Sequence, residues 1–147
     1  MGQVPVYLFI GNGRLSRHLQ HYFQTLQLDY KVWTRGQKLD VNGVTHVLLA
    51  INDDAIVPFI LEHPEIAPLR KFHFSGSLST ELAWGAHPLM TFTRELYSPE
   101  VYREIHFVLD QDAPEFLPGL PNPYHRLATD LKARYHAECV LSGNFTA

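Results

Sequence analysis

The segment Val4 to Leu19, VPVYLFIGNGRLSRHL, constrains this chain more than any other, because an apolar run gives way to a glycine turn and then to a helical pattern. Val4, Val6, Leu8 and Ile10 alternate with Tyr7 and Phe9, so both faces of the run are apolar, as in a buried strand of a parallel sheet. Gly11 supplies a tight turn, and Gly13 has no Cβ to hold a phosphate away from the backbone. Leu15, Leu19, Tyr22, Phe23 and Leu26 follow at spacings of three and four, which makes one apolar helical stripe. The N-terminal N–H groups and dipole of that helix then face the turn, the arrangement that receives a dinucleotide pyrophosphate. Gly11, Asn12, Gly13, Arg14, Leu15 and Ser16 are the expected contacts. Ser16 stands where the fingerprint has a third Gly or Ala. The plainer alternative is an ordinary strand-to-helix turn.

The end of the next strand sets which dinucleotide is expected. Asp29 to Arg35 reads DYKVWTR, and a binder of NAD places Asp or Glu there, about 20 residues past the glycines, to hold the ribose 2′-hydroxyl. Thr34 and Arg35 occupy that place. A planar, permanently charged guanidinium suits a 2′-phosphate, Thr34 adds a hydroxyl and Lys38 further positive charge, so NADP is expected over NAD. The alternative for Arg35 is a solvated side chain in the turn before Gly36.

The 147 residues are 46% hydrophobic and 18% charged, enough apolar material for one compact unit. A net charge of −3 with no basic block argues against nucleic acid or a membrane surface as partner. Cys139 is the one cysteine, so no internal disulfide forms; the apolar runs are too short to span a bilayer, and the N-terminus enters a strand without a leader. The expectation is a soluble, cytoplasmic protein.

Strands alternate with helical or turn-rich links. A third strand runs from Val44 to Ile51, followed by a helix from Ala55 to Glu62 that buries Ile56, Phe59 and Ile60 and ends at Pro64. Lys71 to Phe74, Gly85 to Phe92 and Ile105 to Leu109 read as further strands, and the proline-rich stretch from Ala113 to Pro123 as a connector. Repeated βα units predict an α/β fold, a Rossmann-like doubly wound and mostly parallel sheet with helices on both faces and ligand at the carboxyl ends of its strands. That rule brings Asn52, Asp53, Ser75, Gly76 and His87 to the site. Asn52 and Asp53 read equally as a helix cap, Ser75-Gly76 as a turn, and His87 as a packed histidine or one aimed at the reactive face. The expected division is a dinucleotide-binding domain over 1–112, a connector over 113–128 and a terminal helix over 129–147.

The stretches FSGSLS (74–79), GAHPLMTF (85–92), Tyr135-His136-Ala137 and Ser142-Gly143-Asn144-Phe145 resemble an uncharacterised branch of the phosphogluconate dehydrogenase-like superfamily. That branch carries a Rossmann-like domain of the deazaflavin-dependent NADP oxidoreductase type and is similar to pyrroline-carboxylate reductases and β-hydroxyacid dehydrogenases. The resemblance implies a following all-helical domain that completes the substrate cleft and often pairs two subunits; Tyr135-His136 belongs to its first helix. Ala147 then marks a truncated chain, a natural fragment or a helix-swapped homodimer, and Leu131, Tyr135, Val140, Leu141 and Phe145 give the terminal helix an apolar face in need of a partner.

Lys132 and His136, four apart, share a helical face suited to proton delivery, and Asn144 lies two turns on. The resemblance implies a lysine and an asparagine at the substrate; the alternative is a solvent-facing Lys132 with structural His136 and Asn144. His18 and His21, three apart without a third ligand, read as surface residues, and no metal set is expected. The residues bear on three functions. The first is NADP-dependent hydride transfer to or from a small carbonyl or imine, with His87, Lys132, His136 and Asn144 as candidate catalytic residues. The second is a non-catalytic nucleotide-binding or sensing module. The third, methyl transfer from S-adenosylmethionine, usually wants an acid after the second strand, and Arg35 argues against it.

Overall fold

The computed structural model describes residues 4–128. Seven strands form one sheet in the order β2-β1-β3-β4-β5-β6-β7. They span Val6–Ile10 (β1), Asp29–Trp33 (β2), His46–Leu49 (β3), Arg70–His73 (β4), Trp84–Pro88 (β5), Phe107–Asp110 (β6) and Tyr124–Leu127 (β7). Helices α1 (Arg14–Thr25), α2 (Asp53–Glu62) and α3 (Pro99–Arg103), with a short 3-10 turn at Pro64–Ile66, make the connections. β1 to β5 are mutually parallel through their pairings, β6 runs antiparallel to β5, and β7 is parallel to β6. The expected α/β, mostly parallel, doubly wound sheet is therefore present.

Period-two alternation sorts the core into two layers. Tyr7, Phe9, Leu48, Phe72, Phe107 and Leu109 face α1 and α3 and pack on Leu19, Tyr22, Phe23 and Tyr102. Leu8, Ile10, Val47 and Leu49 face the other way, against Ile56, Phe59 and Ile60 of α2 and Ile66 of the 3-10 turn. The chain leaves β1 for β2 on one side and enters β3 on the other, so the strand order reverses between β1 and β3. The carboxyl end of β1 lies at that switch point, where open α/β sheets hold their ligands.

Two features depart from the sequence reading. The first concerns the reversal at β6. A parallel crossover needs a helix long enough to recross the sheet, and the five residues of α3 rise only about 7.5 Å. The chain turns back instead, with the Leu89 N–H donating to the His106 carbonyl. The second concerns the expected connector. Its prolines and turns exclude a helix, yet Phe116, Leu117 and Leu120 are buried in the core, and Tyr124–Leu127 adds the parallel edge strand β7. Polar ties hold down its first half. His46 Nε2 lies 2.9 Å from Glu115 Oε1, Arg70 Nε lies 3.2 Å from the same oxygen, and the Tyr7 hydroxyl donates to the Pro118 carbonyl at 2.6 Å.

Asn122 is the central staple of this segment. It is 4% exposed, accepts from the Tyr22 hydroxyl at 2.6 Å, and donates from Nδ2 to the carbonyls of Tyr102 and Ile105 at 2.7 and 3.0 Å. One amide thus joins α1, the end of α3 and the approach to β6. Asn122→Ala leaves three buried groups without this partner and is expected to cost about 2–4 kcal/mol in urea denaturation. A loss below about 0.5 kcal/mol would show that the staple is dispensable.

Candidate functional site

The turn after β1 has two glycines with different constraints. Gly11 sits at φ +98°, and a Cβ there would come within 2.8 Å of the Ala50 carbonyl oxygen and 2.9 Å of Ile51 Cγ2. Its N–H donates to the Trp33 carbonyl at 2.8 Å, so the backbone of the turn is wedged between the ends of β2 and β3. Gly13 is extended, at φ −79° and ψ −165°, and a Cβ there would meet nothing within 4 Å. Neither strain nor packing inside the protein requires a glycine at that position. What a side chain at Gly13 would fill is the space in front of the helix.

Ser16 shows how the departure from the usual third glycine is absorbed. It is fully buried, and its hydroxyl donates to the Gly11 carbonyl at 2.8 Å while accepting from Gln20 Nε2 at 2.9 Å. Gln20 also donates to Asn12 Oδ1 at 2.9 Å, so the first two turns of α1 brace the loop from beneath. The two helix N-termini near the switch point then differ in charge. α2 begins with Asp53 and Asp54, which answer its dipole with carboxylates. α1 has no acid in its first turn and no capping side chain at Gly13, so neither answers its N–H groups and partial positive charge.

Two cavities flank the turn. One, of about 560 Å³, is lined by Gly11, Asn12, Gly13, Arg35 and Asn52, together with Trp33 and the side of α2. Asn52 stands at the N-cap position of α2, makes no side-chain cap bond, and lines the cavity. The other cavity, of about 500 Å³, is lined by Arg14, Leu15, His87, Phe74, Met90 and Phe92, among others. A pyrophosphate-sized group on the turn would have one cavity on each side, which is the layout a dinucleotide needs.

The remaining predicted residues take supporting places. Asp53 and Ser75 find each other: the Ser75 hydroxyl donates to Asp53 Oδ2 at 2.6 Å and accepts from the N–H groups of Ser77 and Leu78. This ties the loop after β4 to the start of α2, with Gly76 buried within it. The Thr34 N–H donates to Gln37 Oε1 at 3.0 Å, shaping the turn that carries Arg35. His87 is buried, and its Nδ1 lies 2.9 Å from the Phe74 carbonyl oxygen. A carbonyl only accepts, so Nδ1 carries a proton and the neutral ring holds its lone pair at Nε2. Lys132, His136, Asn144 and the terminal helix lie outside the described residues.

His18 corrects the sequence reading. It is not a surface residue: only 1% is exposed, with Nδ1 2.8 Å from the Tyr102 hydroxyl and Nε2 2.6 Å from the Thr93 carbonyl. The rings of Phe92, Tyr97 and Tyr102 surround it. Burial holds its pKa below the usual imidazole value. No group of three or more metal-ligating side chains occurs among the described residues, and no helix among them is long and apolar enough to cross a membrane.

Sequence reasoning missed the far wall of the first cavity. Ala55, Pro58, Phe59, Glu62 and His63 line it from α2, and Trp33 from the end of β2. For Ala55, Pro58, Phe59 and Glu62 the signal was available in their spacing of three and four along one side of the helix, whereas His63 lies one residue past it and Trp33 at the end of β2.

No protein-family model matches the chain, and no curated protein does. Solved structures do. A Bacteroides fragilis protein named as an NADP oxidoreductase superposes with a TM-score of 0.71 at 16% identity, covering 95% of this chain and 67% of its own. A reductive aminase from Aspergillus terreus, in complex with NADPH and ethyl-5-oxohexanoate, gives 0.66 at 14% identity, covering 96% of this chain and 61% of its own. An imine reductase from Streptomyces aurantiacus gives 0.66 at 15% identity, covering 93% and 61%. The chain thus spans about three fifths to two thirds of the length of these proteins. It has the Rossmann-like fold that NADP oxidoreductase and imine reductase structures share.

Proposed function

We propose that this chain is the cofactor-binding part of an NADP(H)-dependent oxidoreductase that moves hydride to or from a small carbonyl or imine compound. The observation that carries the reading is the uncapped, acid-free N-terminus of α1 behind Gly13, set at the sheet's switch point between two cavities. The structural neighbours that hold NADPH support it at the level of the fold.

In this reading the turn from Gly11 to Gly13 takes the pyrophosphate on its N–H groups. Arg35, at the mouth of the first cavity, pairs with the 2′-phosphate, and Asn52 offers its amide to the adenosine ribose. The second cavity takes the nicotinamide half, which supplies the hydride when bound. Leu15, Phe74, Met90 and Phe92 wall that space and exclude water, and His87, held in one tautomer by Phe74, orients the polar end of the ring. Proton delivery falls to Lys132 and His136, with Asn144 at the substrate; a homodimer formed through residues 129–147 completes the cleft.

Titration of the protein with NADPH and NADH, in wild type and in Arg35→Ala, tests the cofactor assignment. NADPH should bind at least about tenfold more tightly, and the variant should bring it to the NADH value, because a charge-assisted phosphate contact is worth about 1.5–3 kcal/mol. Equal binding of both dinucleotides by the wild type would remove Arg35 from the site. A second reading, a nucleotide-sensing module without turnover, is favoured by the second cavity, whose described lining has His87 and Arg14 as its ionisable side chains. Turnover of any carbonyl or imine substrate excludes it.

A further inference from the structure

The aromatic end of the first cavity has a polarity that the function above does not use. His63 caps the C-terminus of α2, and its Nδ1 lies 2.8 Å from the Phe59 carbonyl oxygen, one of the acceptors left open at a helix end. The carbonyl has no proton to give, so Nδ1 is the protonated nitrogen and the neutral ring keeps a lone pair at Nε2. The imidazole also lies on the Phe59 ring, with centroids 4.0 Å apart and planes 21° from parallel. Trp33 meets both rings edge-on at 5.1 and 5.9 Å, and its indole N–H donates to the Gln37 carbonyl at 2.9 Å. Three aromatic side chains thus fix one another, and the hydrogen bond to Phe59 fixes which imidazole nitrogen accepts.

We infer that His63 is a specificity-determining residue that selects an adenine base by accepting a hydrogen bond from its 6-amino group. The inference rests on the proposed placement of the adenosine half in this cavity. Adenine presents a donor at position 6, which an imidazole lone pair accepts. A hypoxanthine base presents a carbonyl oxygen at the same position, and two acceptors facing each other lose the hydrogen bond that adenine makes. Trp33 and Phe59 supply apolar surface that any purine would use, so stacking alone sets affinity and not the choice of base. Glu62, the neighbouring lining residue on α2, is the side-chain acceptor beside His63 that competes for the same donor.

The test compares binding of NADPH and of its hypoxanthine analogue by wild type, His63→Phe and Glu62→Gln, with circular dichroism and thermal midpoints recorded for each. The wild type should prefer NADPH by about tenfold, the worth of one hydrogen bond. His63→Phe keeps an aromatic ring on Phe59 but has no acceptor, so NADPH should weaken about tenfold and the preference should vanish; Glu62→Gln should keep it. A wild type that binds both dinucleotides equally overturns the inference without recourse to a variant. So does a His63→Phe protein that retains the wild-type ratio, or a Glu62→Gln protein that loses it. In each of those outcomes NADPH still binds and the cofactor reading stands, whereas a wild type that binds neither dinucleotide overturns both.

Discussion

Gly13→Val is expected to weaken NADPH binding about 100-fold while leaving the fold nearly as stable as before, and Gly11→Ala is expected to do damage of the opposite kind. At Gly13 the backbone is in a region open to any residue and a Cβ meets nothing within 4 Å, so the cost to stability is confined to a poorer helix N-cap, about 1 kcal/mol. The valine branches would occupy the space in front of the α1 N–H groups. A phosphate held there loses charge-assisted bonds worth about 1.5–3 kcal/mol and meets a steric term of similar size, which together exceed the 2.7 kcal/mol that a 100-fold change requires. At Gly11 the situation reverses. A residue with a Cβ is strained at φ +98°, and the added carbon lies 2.8 Å from a backbone oxygen that cannot swing aside. The ends of β1 and β3 must part, and about 3 kcal/mol of stability should be lost in urea denaturation, with binding falling as a consequence. Isothermal titration with NADPH beside the denaturation curve separates the two effects. Undiminished NADPH binding in Gly13→Val would sink the phosphate assignment, because nothing else in the described structure asks for a glycine there.

The same two glycines show what a sequence makes legible. The strand, turn and helix from Val6 to Thr25 are specified by local rules: alternation that is apolar on both faces, a residue free to adopt positive φ, and an apolar stripe of period 3.6. Each is written within a few residues, and the structure follows. Arg35 and Asn52 come to the first cavity for a related reason, since each lies in the loop at the carboxyl end of a strand paired with β1. The failures share a different cause. Asn122 and His18 are polar residues in undistinguished local patterns, and their burial follows from partners 17 to 100 positions away in sequence. No periodicity announces that Tyr22, Tyr102 and Ile105 converge on one amide. Edge strand β7 was hidden likewise, because Tyr-His-Arg-Leu is largely exposed and carries no apolar alternation; it is a strand because β6 offers it a backbone edge. His63 fell outside the helix whose periodicity was legible, one residue past Glu62, and only the tertiary packing of Trp33 turns it toward a cavity.

His18 joins this packing to the candidate site, and its removal is the second large effect. The Thr93 carbonyl can only accept, so His18 Nε2 carries the proton, and Nδ1 accepts from the Tyr102 hydroxyl, which itself accepts from the Tyr97 N–H at 2.9 Å. This relay clamps the 91–97 loop to α1, and the same loop supplies Thr91 and Phe92 to the second cavity. Protonation would take away the acceptor at Nδ1 and leave a charge in an aromatic cage. Burial is the largest penalty; the Thr93 carbonyl, which accepts from Nε2, offsets part of it, and the cationic side chains of Arg17 and Arg14, with His21 on the same helix, add to it, so the net direction is downward. The folded-state pKa is thus lower than the unfolded value of about 6.5. As pH falls below that value the unfolded chain takes up the proton first, so the stability present above it is progressively lost, at up to about 1.4 kcal/mol per pH unit until the folded pKa is reached. His18→Phe removes this titration. At pH 7.5 it should cost about 1–3 kcal/mol, because the fully buried Tyr102 hydroxyl loses its acceptor, while the fall in stability from pH 7.5 to 5.5 should be shallower than in the wild type. The comparison between the two proteins isolates His18 from the other histidines, which titrate in both. Parallel stability curves over that interval would show that His18 is not the buried neutral imidazole described here, and the clamp on the cavity wall would then have to be sought elsewhere.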